Sequence, residues 1–128
     1  MMPFKLEREK TATTPYILLN EEKGYMKFEG RSYLEDIFSF YAEINEWLEK
    51  YLSSGPAGLT FDCELEYFNS STTKLLYNML RAMDKAAAGG VKVTVNWFAA
   101  EDNDMVIECG EDFSDEMKHL QFNLIASR

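Results

Sequence analysis

Apolar residues recur along this chain in two rhythms, and the switches between them mark its elements. Alternation signals a strand, and a three- to four-residue step signals a helix face. After Pro15, the run Tyr16-Ile17-Leu18-Leu19 reads as a strand. Asn20-Glu21-Glu22-Lys23-Gly24 reads as a hairpin loop, with Gly24 free to take a positive φ. Tyr25-Met26-Lys27-Phe28-Glu29 alternates as the return strand, which Gly30 ends. The step then lengthens. Ile37, Phe40, Tyr41, Ile44, Trp47, Leu48 and Tyr51 form one apolar helix face. Ser32 or Asp36 opens that helix, and Ser53-Ser54-Gly55-Pro56 stops it.

A strand follows from Leu59 to Leu65, and then a second helix, whose Leu75, Leu76, Met79, Leu80 and Met83 share a face. It runs to about Ala88, where Gly89-Gly90 terminates it. Val91 to Trp97 is β-branched and strand-like. Asp102 to Met117 places Met105, Val106, Cys109, Phe113 and Met117 at near-helical spacing. Gly110 counts against that helix by about 1 kcal/mol relative to alanine. Leu120 to Ile125 alternates as a closing strand. The order β-β-α-β-α-β-α-β predicts an α/β fold with a mixed, partly parallel sheet and right-handed crossovers. One domain is expected over 15–128, behind a loosely ordered lead-in over 1–14 that shows no period. Its core is expected to join Leu76, Met79, Leu80 and Met83 to Phe61, Cys63, Val93 and Val95.

Composition narrows the function. Among 128 residues, 46% are hydrophobic and 14% aromatic, a balance that builds a core without metal or disulfide. Acids outnumber bases 22 to 13, for a net charge of −9. That excess disfavours nucleic-acid backbones and anionic membrane surfaces, and leaves steering of a basic partner. The charged N-terminal stretch is no signal peptide, and no apolar run reaches membrane-spanning length, so a reducing cytoplasm is expected. Cys63 and Cys109 lie on apolar positions and read as buried free thiols.

The residues offer no catalytic set. His119 is the lone histidine, placed at the rim before the last strand. Cys63 lacks the electropositive surroundings that make a reactive thiolate. No glycine-rich phosphate loop occurs. Glu101-Asp102-Asn103-Asp104 lacks cation-loop spacing and reads as acids favoured at a helix start. No metal and no cofactor are expected. Phe38, Phe40, Tyr41, Trp47 and Tyr51 exceed one narrow stripe, so core packing and a partner patch are both open readings. The most specific segment is Tyr67-Phe68-Asn69-Ser70-Ser71-Thr72-Thr73-Lys74, four hydroxyls in a row between a strand and a helix. Unpaired N–H groups and the positive helix end suit either a simple cap or a phosphate.

That junction, with the element order, resembles the STAS-like folds of bacterial anti-anti-sigma factors. Thr14-Pro15, Gly24 to Gly30, Leu65 to Lys74 and Phe122-Asn123-Leu124-Ile125 are similar more closely to the SiaC-type regulatory phosphoproteins. The resemblance implies a non-enzymatic switch. It places the phosphoacceptor directly after the asparagine, at Ser70, where the family more often has threonine. It implies three partners: a serine/threonine kinase of histidine-kinase-like fold, a metal-dependent protein phosphatase, and a diguanylate cyclase or other target bound by the unphosphorylated form. On this reading Asn69 shapes the turn, Ser71 or Thr72 caps the helix, and Lys74 pairs with the phosphate. Tyr67 and Phe68 would supply partner contact. The alternative is a STAS-like domain that binds a small apolar or nucleotide ligand, with a small hydrolase behind it.

Overall fold

The hairpin seen in the alternating pattern starts the sheet. In the computed structural model, which describes residues 2–127, β2 (Tyr16–Asn20) turns through 21–24 and returns antiparallel as β3 (Tyr25–Ser32). Gly24 has φ +60°, and a Cβ there would meet the Gly58 carbonyl oxygen at 2.6 Å, so this turn demands glycine. Three crossovers follow. They run through α1 (Ile37–Ser53) to β4 (Gly58–Phe68), α2 (Ser70–Ala88) to β5 (Lys92–Ala100), and α3 (Asp104–Glu116) to β6 (Gln121–Ser127). β3, β4, β5 and β6 are parallel neighbours in that order.

Two expectations about chain segments need correction. The supposed lead-in over 1–14 contains β1 (Lys5–Arg8), an edge strand antiparallel to β2. Its side chains are mostly charged, so no hydrophobic rhythm betrays it. It is held because Leu6 packs against the core and Arg8 reaches α1, donating to the Phe40 carbonyl and pairing with Glu43, each at 2.8 Å. The expected order then continues from β2. Gly30 does not end β3. It takes φ +114°, and the pairing slips beyond it, with Gly30 opposite Leu65 and Arg31 opposite Tyr67. The extra residue, Glu66, is a β-bulge that lets both strands continue. Asp36, not Ser32, opens α1, its carboxylate accepting the Ser39 N–H at 3.1 Å.

Crossovers that always step the same way put all three helices on one face of the sheet. Burial agrees. Ile17, Phe28, Cys63 and Trp97 lie abreast and are 0–1% exposed. The helices close over them with Tyr41, Ile44, Leu76, Met79, Leu80 and Met83, all at most 2% exposed. The expected core is the observed one. The opposite sheet face is open, which is unusual for parallel strands. A polar ladder equips it for water. Tyr25 and Asn96 donate to the two Asp62 carboxylate oxygens at 2.7 and 2.9 Å, and Asn123 donates to Asn96 Oδ1 at 2.9 Å. Among the described residues, no helix is long and apolar enough to cross a membrane.

Gly110 has a packing reason that helix propensity hides. A Cβ there would lie 2.5 Å from the Trp97 ring and 2.8 Å from Leu124. Trp97 is 1% exposed and held by its indole N–H to the Val106 carbonyl at 2.9 Å, so it has nowhere to go. Gly110→Ala should therefore destabilise by about 1–3 kcal/mol, reversing the gain of about 1 kcal/mol that helix propensity alone gives. Urea denaturation checks the sign.

Asp84 ties α2 to the start of β6. Its carboxylate accepts the backbone N–H groups of Lys118, His119 and Leu120 at 3.3, 2.8 and 3.0 Å. Burial works to raise its pKa, but these three donors outweigh it and hold the carboxyl below its usual range. The linked stability is present above the unfolded carboxyl pKa and is lost as pH falls through the depressed folded value. Asp84→Asn should cost about 1 kcal/mol at neutral pH. The gap to the parent protein should close in acid, which thermal melts from pH 7 down to pH 2 would show.

Candidate functional site

The strand-to-helix junction is built from its side chains outward. Asn69 leaves the strand with extended backbone (φ −89°, ψ 177°) and is the N-cap of α2. Its Oδ1 accepts the Thr72 N–H at 3.1 Å, and its carbonyl accepts the Thr73 N–H at 3.0 Å. The cap is thus Asn69 and not Ser71 or Thr72, because Asn69 alone separates the strand from the helix and both hydroxyls already lie inside it.

The four hydroxyls then divide into two pairs. Thr72 is fully buried. Its Oγ1 lies 2.9 Å from the Ser32 carbonyl, 2.9 Å from Ser32 Oγ and 3.1 Å from Asn69 Oδ1. Ser32 Oγ continues to the Tyr41 hydroxyl at 2.8 Å. This buried chain fastens β3, α1 and the first turn of α2 together. Tyr41 is fully buried, so its phenol stays protonated, its pKa pushed up by desolvation. Thr73 is half-buried and bonds back to the Asn69 carbonyl at 3.2 Å. Ser70 and Ser71 are exposed, and neither hydroxyl makes a hydrogen bond to a described residue. Ser70 is the first residue of α2, at its positive end.

The flanking aromatics do not act as a pair. Tyr67 is 45% exposed and packs edge-to-face on Tyr33, with ring centroids 5.4 Å apart. Phe68 is 4% exposed and lies edge-to-face against Trp97, so it is a core residue and not a partner contact. The bulge at Glu66 is the reason. Strict alternation from Leu65 would turn Tyr67 inward and Phe68 outward, and the extra residue inverts both.

Beside the junction, a groove of about 520 Å³ runs between α1 and α2. Ile37 and Leu75 form its floor. Phe38 and Asn45 line one wall, and Ser71, Lys74 and Asn78 the other. Phe38 is 81% exposed, far beyond the other aromatics of α1. Lys74 is the groove's one charge, and none of the four ion pairs among the described residues uses it. Phe38 is surplus to a single stripe in the sequence, but nothing in the sequence joins it to Ser71 and Lys74.

The remaining candidates stay apart. Cys63 is 1% exposed, and burial pushes its thiol pKa far up. Cys109 is half-buried and pushed up to about 11 by burial and the nearby Asp112. Neither is a thiolate at neutral pH. His119 is exposed at the rim and contributes a backbone N–H to Asp84. Among the described residues, no three His, Cys, Asp or Glu side chains gather closely enough to hold a metal ion.

Comparison with known proteins now bears on this geometry. The model of the SiaC family of regulatory phosphoproteins matches residues 8–127. An uncharacterised protein of Pseudomonas aeruginosa is 29% identical over 106 residues, 83% of this chain and 84% of that protein. The structure of SiaC of Pseudomonas aeruginosa superposes with a TM-score of 0.88 at 27% identity, covering 97% of this chain and 99% of that one. A chain in the crystal structure of the diguanylate cyclase SiaD in complex with its activator SiaC, also from Pseudomonas aeruginosa, gives 0.89 at 28% identity. The coverage there is 95% of this chain and 99% of that one.

Proposed function

Because this chain belongs to the SiaC family of regulatory phosphoproteins, we propose that it is a non-enzymatic switch whose state is set by phosphate on Ser70. The unphosphorylated form binds a diguanylate cyclase, as SiaC of Pseudomonas aeruginosa does SiaD. A serine/threonine kinase of histidine-kinase-like fold adds the phosphate, and a metal-dependent phosphatase removes it. One observation carries the reading. Of four consecutive hydroxyls at the positive end of α2, two are locked into the fold and two stand free in solvent. Ser70 is favoured over Ser71 because it follows the cap directly, whereas Ser71 lines the α1–α2 groove.

The test has two parts. Intact-mass analysis of protein from its native cell, before and after phosphatase treatment, should show one phosphate, and fragmentation should place it on Ser70. Purified diguanylate cyclases of the same cell are then titrated with the unmodified chain. Phosphate found only elsewhere, or no cyclase bound, would sink the reading.

A further inference from the structure

Lys74 stands where two anions would compete for it. It lies one helical turn after Ser70, and residues four apart on a helix are neighbours, with Cβ atoms about 5–6 Å apart. It also forms part of the groove wall, across from Phe38. The groove is otherwise apolar and amide-lined, and Lys74 is unpaired among the described residues although acids outnumber bases 22 to 13 in the chain. Other exposed lysines are unpaired too, but Lys74 is set in the α1–α2 groove beside the exposed Phe38, where an acid and an apolar side chain from one partner segment would meet both.

We propose that Lys74 selects the partner and reads the switch. The groove takes a partner segment that seats an apolar side chain on Phe38 and a carboxylate on the Lys74 ammonium. Phosphate on Ser70 takes that ammonium for itself and sets a dianion against the incoming carboxylate. This inference rests on Ser70 being the acceptor and adds the chemistry of what the groove admits. An anion placed N-terminal to a lysine at this spacing is the favourable order, since it also suits the helix dipole. The fold does not depend on either wall residue, because Lys74 and Phe38 are both exposed.

The probe is the diguanylate cyclase that the unmodified chain binds, titrated with the parent, Lys74→Met and Lys74→Glu proteins, each with and without phosphate on Ser70. Melting temperatures confirm that the variants fold. Lys74→Met, which keeps the apolar stem, should weaken unmodified binding by about 2- to 5-fold. Lys74→Glu should weaken it at least tenfold, because it sets like charges together. The loss caused by phosphorylation should shrink from about 100-fold in the parent to about tenfold in Lys74→Met. A ³¹P titration gives a readout free of the partner: the phosphoserine should ionise at lower pH in the parent than in Lys74→Met. Equal phosphorylation penalties in the parent and Lys74→Met would overturn the role of Lys74 and leave the switch standing. A parent protein that binds equally well with and without phosphate would overturn the switch and this inference with it.

Discussion

Replacing Leu80 with alanine is expected to destabilise the protein by about 2–5 kcal/mol. Leu80 is fully enclosed, and its neighbours on the same helix face, Leu76 and Met83, are fully enclosed too. Removing its branched end takes away the transfer energy of the lost carbons and leaves a void. Its walls belong to a sheet fixed by strand pairing, so they collapse only in part. The exposed Ala82 on the same helix is the control site. A conservative change there, such as Ala82→Ser, should stay within about 0.5 kcal/mol. Denaturant midpoints with unchanged slopes would attribute the difference to stability rather than to a changed unfolded state. A Leu80→Ala loss below about 1 kcal/mol would mean that α2 packs on another face.

That helix face was legible in the sequence because it is a periodic signal, Leu75, Leu76, Met79, Leu80 and Met83, sustained over more than two turns. The same holds for the strands, where one face is buried and the other meets water, so alternation survives. What escaped is local. β1 is short and mostly charged, and it is a strand only because β2 offers an open edge. The bulge at Glu66 carries no composition of its own, yet it reverses which of Tyr67 and Phe68 is buried. Ser32 had looked like a helix opener, and its place in a buried hydroxyl chain depends on Tyr41 and Thr72, which lie 9 and 40 positions away. The four-hydroxyl junction was visible as a candidate site, but its division into locked and free pairs depends on which way each side chain points from the first turn. Gly110 shows the opposite failure. Its propensity cost is plain in the sequence, but its necessity lies in Trp97, thirteen residues earlier in the chain.

Stoichiometric phosphorylation of Ser70 is expected to leave the fold intact and weaken cyclase binding by about 100-fold. The two effects separate because the phosphate meets different surroundings in each case. On the free chain it adds a charge of about −1.5 to −2 at the start of α2, where the helix dipole favours an anion. Asn69 already satisfies the Thr72 N–H, and the Thr72–Ser32–Tyr41 chain holds the first turn from beneath. The added group therefore projects into solvent without prising the helix open, and the melting temperature should hold or rise slightly. On binding, the same dianion must shed water against a partner surface shaped for a bare serine, with no basic group brought to meet it. Ser70→Ala should bind like the parent and resist the kinase. Ser70→Asp should fall between the two states, because a carboxylate has less charge and fewer acceptor oxygens than a phosphate. Calorimetric titration of the cyclase with the unmodified, phosphorylated and substituted proteins measures the whole series. Most of the loss should appear as faster dissociation, where most affinity differences between variants of one interface lie. Equal affinity of the phosphorylated and unmodified forms, with phosphate verified on Ser70, would refute the switch.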